Sequence, residues 1–558
     1  MHLKFFRFLQ QNPVISILFL VLITSSVYSA FYASNNLSTN SDAIVYPYLF
    51  RDIPAADQLL VSDKHSNILK MPLFALQGLF TYNYTSFMIF NIILYILTIL
   101  GWVFLCIKIF GKRSSYPVLL TAIVVVLTAH SFNNELIYST VRNIEYPIIL
   151  FFFYLLARLV FAKSKYISKK KSILFILYTA FVAVMIAGDQ FFVYIGLTPA
   201  LLVLIALLFN QKIPKKRILY GVSSIIGIFL GSLLIKAILD VVGLYDLDKR
   251  YLSETIIPSL PILLDSVLAV INQWFYLVGT AIPPRISSRS LVDLALIIGV
   301  FGTIILLVIA AYNSIFKHTK ENQIALFVAT ILLVSSVVLV GAYVMSGLAF
   351  QGGDILDSLA NVRYMTLLPL VLIFGAGLST VLFPTVLNYE KIIGIIFIIA
   401  LIPALYSAVK YNNYSYLQAK ESKISYINLA NSLKQEGVTQ VLSGYWYGAA
   451  LRFWSEDTIH YSVVAECNKP SIENARRDWY KPNTSTNKSA LIIDMSGRDL
   501  PFLGFCSGEK LQKIYGKANK EFQFITSPNL GSKINIWIFN YDIRSHTQPI
   551  LTAPDIKK

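Results

Sequence analysis

The sequence predicts a polytopic α-helical membrane protein with a C-terminal soluble α/β domain, and three observations carry that expectation. First, the 558 residues are 56% hydrophobic and only 14% charged, with a mean hydropathy of +0.63, which excludes an ordinary soluble enzyme. Second, apolar runs recur that reach the roughly 20 residues needed to cross a hydrocarbon core. Third, these runs stop near Asn412 and the composition becomes mixed, as expected of a separate folded domain of about 150 residues. The net charge of +17 does not point to nucleic acid, because Lys and Arg cluster between apolar runs instead of interleaving with aromatics. That placement is a signature of membrane topology.

Lys4 and Arg7 put the N-terminus on the cytoplasmic side, ahead of a first helix at 14–33. A signal peptide would share that charged start, but the run is long and no convincing small-x-small cleavage site follows, so an uncleaved helix is expected. Later spans are read at 85–107, 116–132, 146–162, 173–188, 191–209, 218–241, 291–313, 323–346, 364–385 and 391–410, which makes about eleven transmembrane helices. Alternation then gathers the basic clusters on the inner side: Lys108, Lys112 and Arg113; Lys163, Lys165 and Lys169 to Lys171; Lys212 and Lys215 to Arg217; Lys317 and Lys320. This satisfies the positive-inside rule. The count leaves out 258–281, where Pro258, Pro261, Asp265, Asn272 and Gln273 indicate an interfacial or re-entrant segment. If that segment spans, every later cluster moves to the outer face.

An odd number of spans in a plasma (inner) membrane leaves the tail outside. The expected domains are therefore a transmembrane domain over 1–411, with a long acidic first outer loop at 34–84 and an interfacial segment at 243–290, and an extracytoplasmic α/β domain over 412–558. In the tail, Ile424 to Gln435 and Glu509 to Tyr515 read as helices. Thr439 to Leu442, Ile459 to Ala465, Ala490 to Asp494 and Lys533 to Phe539 read as strands. In an oxidising compartment Cys467 and Cys506, the only cysteines of the tail, would pair around a loop of about 40 residues. Cys106 lies in an apolar helix and reads as a small buried hydrophobe. No Cys/His metal spacing is present.

The outer loops hold the polar residues that composition does not explain. The first carries Asp42, Asp52, Asp57, Asp63, Lys64 and His65 and is too long for a connector. Asp42 falls about eight residues past a membrane exit near Ala33, at the water–lipid boundary for a chain with a helix of this length. The second loop carries Glu135, Arg142, Asn143 and Glu145, the third is little more than Gly188-Asp189-Gln190, and the last holds Asp354, Asp357 and Arg363. Any one of these also reads as an interfacial anchor. Together they place carboxylates and arginines on one face, which suits a reaction in which a carboxylate takes a proton from a hydroxyl while cations hold a phosphate.

The order of a first helix, an acidic outer loop with Ser41-Asp42 through Arg51-Asp52, many helices and an outer C-terminal domain resembles the GT-C superfamily of polyprenyl-phosphate-dependent glycosyltransferases, near its protein O-mannosyltransferase and aminoarabinose-transferase branch. Further matching pieces are Val141-Arg142-Asn143-Ile144-Glu145-Tyr146, Gly188-Asp189-Gln190-Phe191-Phe192, Asn361-Val362-Arg363-Tyr364 and the tail segment Gly444 to Trp454.

The resemblance implies transfer of a sugar from a polyprenyl-phosphate donor to a glycan or protein acceptor at the membrane lipid surface, with inversion and without a nucleotide-sugar site. Asp42 matches the family's first-loop carboxylate and would be the general base, with Asp52 either assisting or pairing with Arg51 or Lys64. Arg142 and Arg363 are candidates for the donor phosphate, which a planar guanidinium fork suits; the alternative for each is an ion pair, with Glu145 or Asp357. Asp189 either lines the same cavity or binds its own turn, and His65 and Glu145 complete the substrate-binding candidates. Asp246-Leu247-Asp248 has the form of a metal-binding DxD, but Lys249 and Arg250 beside it favour a solvated turn. The Trp-Trp-Asp signature of metal-dependent relatives is absent from the sequence, so no metal and no cofactor beyond the donor are expected. Tyr445, Trp446 and Trp454 either bind acceptor or form the tail's core. The competing readings are a flippase or transporter of lipid-linked saccharides, a polymerase or ligase of surface polysaccharide, and a structural membrane protein with an interaction tail.

Overall fold

The computed structural model describes residues 12–35, 41–50, 59–60, 68–79, 84–138, 142–161, 169–209, 213–241, 259–279, 290–317, 322–346, 362–383, 389–470, 475–483, 488–494, 506–527 and 532–549. The chain is mostly helical and divides into two compact units, one formed by 1–33, 91–234 and 252–413, the other by 34–90, 235–251 and 414–558.

Seven helices among the described residues are long and apolar enough to cross a membrane: Pro13–Ser34, Tyr84–Phe110, Lys215–Leu239, Leu260–Leu277, Leu296–Lys317, Gln323–Met345 and Val362–Leu382. An eighth is formed by Lys112–Thr128 and His130–Leu136 if that pair, bent by 89°, is one span. The spans expected at 146–162, 173–188 and 191–209 fall on shorter apolar helices, Glu145–Val160, Ser172–Gly188 and Val193–Leu208. The one expected at 391–410 lies inside the 47-residue helix Tyr389–Gln435.

One segment bears directly on the span count. The segment 258–281, read as interfacial or re-entrant, contains the 18-residue helix Leu260–Leu277, which meets the same measure of length and composition as the other spans. Pro261 occupies its first turn, where a missing N–H costs nothing. Ser266 and Gln273 are buried, while Leu260, Leu264, Val267, Leu268 and Ile271 are exposed. Asp265 and Asn272 are partly buried, and the exposed positions form an apolar face.

The bend between the paired helices is stabilised by side chains. At Ala129 the helix breaks and the Val126 carbonyl is held by Asn133 Nδ2 at 2.6 Å and Ser29 Oγ at 2.9 Å. The Asn133 amide oxygen accepts in turn from Tyr95 Oη at 2.6 Å. In an apolar surrounding such a freed carbonyl must find a donor. Gly279, at φ +86, lies against the Thr128 carbonyl, and any Cβ at this position would collide with it.

The second unit is built on a six-stranded sheet of order β4-β3-β2-β6-β8-β7, where β2 is Gln440–Ser443, β3 His460–Glu466, β4 Lys469–Pro470, β6 Ser489–Asp494, β7 Lys520–Ser527 and β8 Ser532–Phe539. The strand β2 pairs in parallel with both β3 and β6, and β8 runs antiparallel to β6 and β7. Strand periodicity of two splits β8 between two cores. Ile534, Ile536 and Ile538 pack with Leu429 and Leu433 of the long helix and with Tyr447 and Leu451, whereas Trp537 and Phe539 pack with Leu511 and Tyr515 of the helix Gly508–Tyr515.

Both faces of the sheet are therefore covered, and its central strands are buried, including the polar Gln440 and Ser443 of β2. The crossover from β2 to β3 is the helix Tyr445–Trp454. Gly448 is required there because a Cβ would run into the Tyr461 ring and the Ser443 hydroxyl. A second, two-stranded sheet pairs β1, Leu59–Leu60, with β5, Ala475–Arg476.

Cys467 and Cys506 form a disulfide, with Cα atoms 5.5 Å apart and a sequence separation of 39, and Cys106 is free and buried. Opening a loop of this size by Cys467→Ser with Cys506→Ser is expected to lower the stability of the sheet domain by about 4 kcal/mol in the chain-entropy account, read by denaturant unfolding. Alkylation of the denatured protein is expected to label one cysteine without reductant and all three with it.

Asp542 and Arg544, both 8% exposed, form an ion pair at 2.6 Å, and Asp542 also accepts from the backbone of Asn483 at 2.9 Å. Burial alone would raise the Asp542 pKa, but these hydrogen bonds outweigh it and hold it below the ordinary value of 3.8. A carboxylate depressed in the folded state stabilises fully above its unfolded pKa, and that contribution is lost as pH falls through the folded value. Acid titration below about pH 4 is therefore expected to weaken the domain, and Asp542→Asn to remove that component of the pH dependence.

Candidate functional site

Three of the residues marked by sequence, from three separate loops, meet in the first unit. Arg142 lies just ahead of the helix Glu145–Val160, Asp189 just after the helix Lys169–Gly188, and Arg363 in the short turn Val362–Met365 that leads into Leu367–Leu382. Arg142 Nε approaches Asp189 Oδ2 at 2.6 Å and its Nη2 donates to Oδ1 at 3.1 Å. The Arg142 guanidinium lies 3.8 Å from the Phe191 ring centre and 5.2 Å from that of Tyr364, and the Arg363 guanidinium lies 5.5 Å from the same Tyr364 ring. One tyrosine ring thus carries two cations whose positions in sequence are far apart.

For Arg142 the structure shows an ion pair; Asp357, the partner considered for Arg363, lies outside the described residues. Arg142 forms an ion pair with Asp189, and the Glu145 carboxylate accepts from the Asn143 backbone N–H at 3.0 Å. Asp189 serves its own turn as well, accepting from the Phe191 backbone N–H at 3.0 Å. Arg142 is 7% exposed and Asp189 8%. Burial by itself would lower the Arg142 pKa, but the adjacent Asp189 carboxylate more than offsets this and raises it.

Sequence reasoning assigned no role to the residues that frame the pair, although Phe191, Tyr146 and Tyr364 lie inside the short segments it singled out. The Tyr146 hydroxyl shares a hydrogen bond of 2.8 Å with Thr366, and Thr366 donates to the Arg363 carbonyl at 3.0 Å. These contacts tie the helices beginning at Glu145 and Leu367 together beside the two arginines. Tyr343 and Gln273, both buried, lie on the neighbouring helices Gln323–Met345 and Leu260–Leu277. Buried polar residues of this kind in a helical membrane bundle are a functional signal.

The first-loop residues belong to the second unit. Asp42 is the second residue of the helix Ser41–Phe50. Asp52 and His65, together with Asp246-Leu247-Asp248 and Asp357, lie outside the described residues. The helix has ten residues and an interior proline, Pro47, so its order must come from packing. Tyr46, Leu49 and Phe50 pack on Phe74, with ring centres 5.4 Å from Tyr46 and 6.4 Å from Phe50.

On another side Tyr48 lies under Arg452, whose guanidinium is 4.4 Å from the ring centre. Arg452, 7% exposed, is held through Nε by Asp457 Oδ1 at 2.5 Å and also lies 5.8 Å from the Trp479 ring. Of the tail aromatics, Tyr447 and Phe453 are buried. The Trp454 ring sits 5.6 Å from that of Tyr84 and 4.7 Å from Lys423 Nζ.

Among the described residues, no group of three or more His, Cys, Asp or Glu is placed to hold a metal. Compared with protein-family models and with curated proteins, the chain matches none.

Removing the charge of Asp189 leaves the Arg142 guanidinium buried without its carboxylate. Asp189→Asn is expected to destabilise the protein by about 3–5 kcal/mol, read as a fall in the thermal unfolding midpoint in detergent. Glu145→Gln, which keeps an acceptor for the Asn143 N–H, is expected to cost less than Asp189→Asn in the same assay.

Proposed function

We propose that this protein is an integral membrane glycosyltransferase of the GT-C type, moving a sugar from a polyprenyl-phosphate donor to a lipid-linked glycan, a surface polymer or a protein on the extracytoplasmic face. The observation that supports this reading is that the Arg142 and Arg363 guanidinium groups each lie within 5.5 Å of the Tyr364 ring centre, with Asp189 paired to Arg142. Guanidinium groups suit the doubly charged phosphate of a lipid leaving group. Arg363, the less buried of the two, makes the first contact in this reading, and Arg142, neutralised by Asp189, donates from the guanidinium edge that the carboxylate leaves over.

In the proposed reaction Asp42 takes the proton from the acceptor hydroxyl. The hydroxyl oxygen bonds to the anomeric carbon as the bond from that carbon to the phosphate oxygen breaks, and the lipid phosphate leaves with the electron pair. Asp52, His65 and Glu145 are secondary candidates for substrate contact, and about eleven spans with an outer tail complete the topology. The Cys467–Cys506 disulfide favours the outer placement, since such bonds persist in oxidising compartments.

The helix broken at Ala129 is the feature that favours a flippase, because transporters use discontinuous helices at their sites. A single assay separates the readings. Purified protein is incubated with polyprenyl-phosphate sugars and candidate acceptors, and wild type is compared with Asp42→Asn. Loss of a general base is expected to cut transfer about 10²–10⁴-fold. Unchanged transfer removes Asp42 as the base, and movement of lipid-linked sugar across vesicles without bond exchange establishes the flippase instead.

A further inference from the structure

The helix that carries Asp42 cannot hold its own shape. It is ten residues long with Pro47 inside, shorter than the roughly 12–15 residues an isolated helix needs. Its Tyr48 is gripped by a residue of the tail domain, and the tail shapes its own backbone to make that grip. Glu456 and Asp457, at the end of the helix Tyr445–Trp454, both adopt left-handed conformations, φ +55 and +62, which non-glycine residues rarely take in succession. This turn brings the Asp457 carboxylate back onto Arg452 Nε at 2.5 Å. The guanidinium is thereby fixed with its face 4.4 Å from the Tyr48 ring, with Trp479 beyond at 5.8 Å. Strained backbone retained for one ion pair calls for a reason, and the contact it secures is with the first-loop helix. The pairing of β1 with β5 fixes the same loop a second time, since Leu59 opposes Arg476 and Leu60 opposes Ala475.

We propose that Arg452, locked by Asp457, is a positioning residue for the transfer reaction: through Tyr48 it holds the helix Ser41–Phe50, and with it Asp42, in the orientation the chemistry requires. The catalytic consequence rests on the glycosyltransferase reading above; the docking of the helix does not. In this proposal Arg452 acts through Tyr48, so its loss acts on the geometry of the reaction and not on donor affinity.

The experiment uses the full-length protein in lipid vesicles and the variants Arg452→Lys, Tyr48→Leu and Tyr48→Phe. Lysine keeps the charge but not the planar face, and phenylalanine keeps the ring. In Arg452→Lys and Tyr48→Leu, amide exchange over 41–50 is expected to accelerate at least about tenfold, with exchange in β6 and β8 unchanged as evidence that the sheet stays folded. In the same two variants kcat for sugar transfer is expected to fall by up to about a hundredfold with donor KM within about twofold of wild type. Tyr48→Phe is expected to restore both readouts.

Exchange over 41–50 that stays at the wild-type rate in both variants overturns the positioning role, whatever the transfer assay reads. So does a kcat loss in Tyr48→Phe equal to that in Tyr48→Leu. Accelerated exchange together with no transfer by the wild-type protein leaves the docking standing and overturns the glycosyltransferase reading instead.

Discussion

A guanidinium taken out of water must be repaid in full by its neighbours, because the desolvation cost of an ion in an apolar interior is several kcal/mol even after relaxation. Each compact unit of this chain meets that constraint with the same construction. Arg142 has Asp189 at 2.6 Å and the faces of Phe191 and Tyr364; Arg452 has Asp457 at 2.5 Å and the faces of Tyr48 and Trp479. In both cases the carboxylate comes from the turn that directly follows a helix, Lys169–Gly188 or Tyr445–Trp454. In both, that turn is shaped around the ion pair, by the Asp189 bond to the Phe191 N–H in one and by left-handed backbone in the other. Rings stacked on the cation exclude water without competing for its donors. The outcome is that loops distant in sequence are fixed within each unit by charge, where apolar packing alone would leave their register open.

The charged members of the site were legible in the sequence for a simple reason. In a chain this apolar, a charge next to a helix end needs an explanation, so Arg142, Asp189 and Arg363 stood out. Their pairing was not legible: Glu145, three residues from Arg142, was as good a partner on paper as Asp189, and only the packing of two helices decides between them. The aromatic rings escaped notice because Phe and Tyr are frequent here, 37 and 33 residues, and carry no local signal of their own. In the tail, the alternation of Ile534, Ile536 and Ile538 against Trp537 and Phe539 announced β8. The edge strand β7, with Lys520, Glu521 and Gln523 between its apolar residues, did not announce itself, because an edge strand mixes polar residues into a weak pattern.

The span count turns on Leu260–Leu277, a helix whose length and composition suit a crossing. Its proline lies in the first turn, Ser266 and Gln273 are buried, and Asp265 and Asn272 are partly buried. The parity of the chain depends on that helix. If it crosses the membrane together with about eleven others, the tail returns to the reducing side, where a disulfide would not persist. The Cys467–Cys506 bond therefore bears on membrane topology, and it shifts attention to the segments that depart from a simple crossing, the pair bent at Ala129 and the short helices Ser172–Gly188 and Val193–Leu208.

The segments 34–90 and 414–558 fall into one compact unit, and this imposes an order on assembly. The helix Ser41–Phe50 emerges early in synthesis, but Arg452, Asp457 and β5, which hold it, follow roughly 400 residues later, a separation that makes the contact entropically late. Until then the helix has only nearby residues of the first loop and the next helix, such as Ile68, Met71, Phe74 and Phe90, to pack against, and Pro47 works against it. A loop that needs the last part of the chain for its shape cannot take its final form before the tail domain has folded. If Asp42 is the base of the proposed reaction, activity is confined to the completed chain, and the distance between helix and tail in sequence serves as a check on assembly.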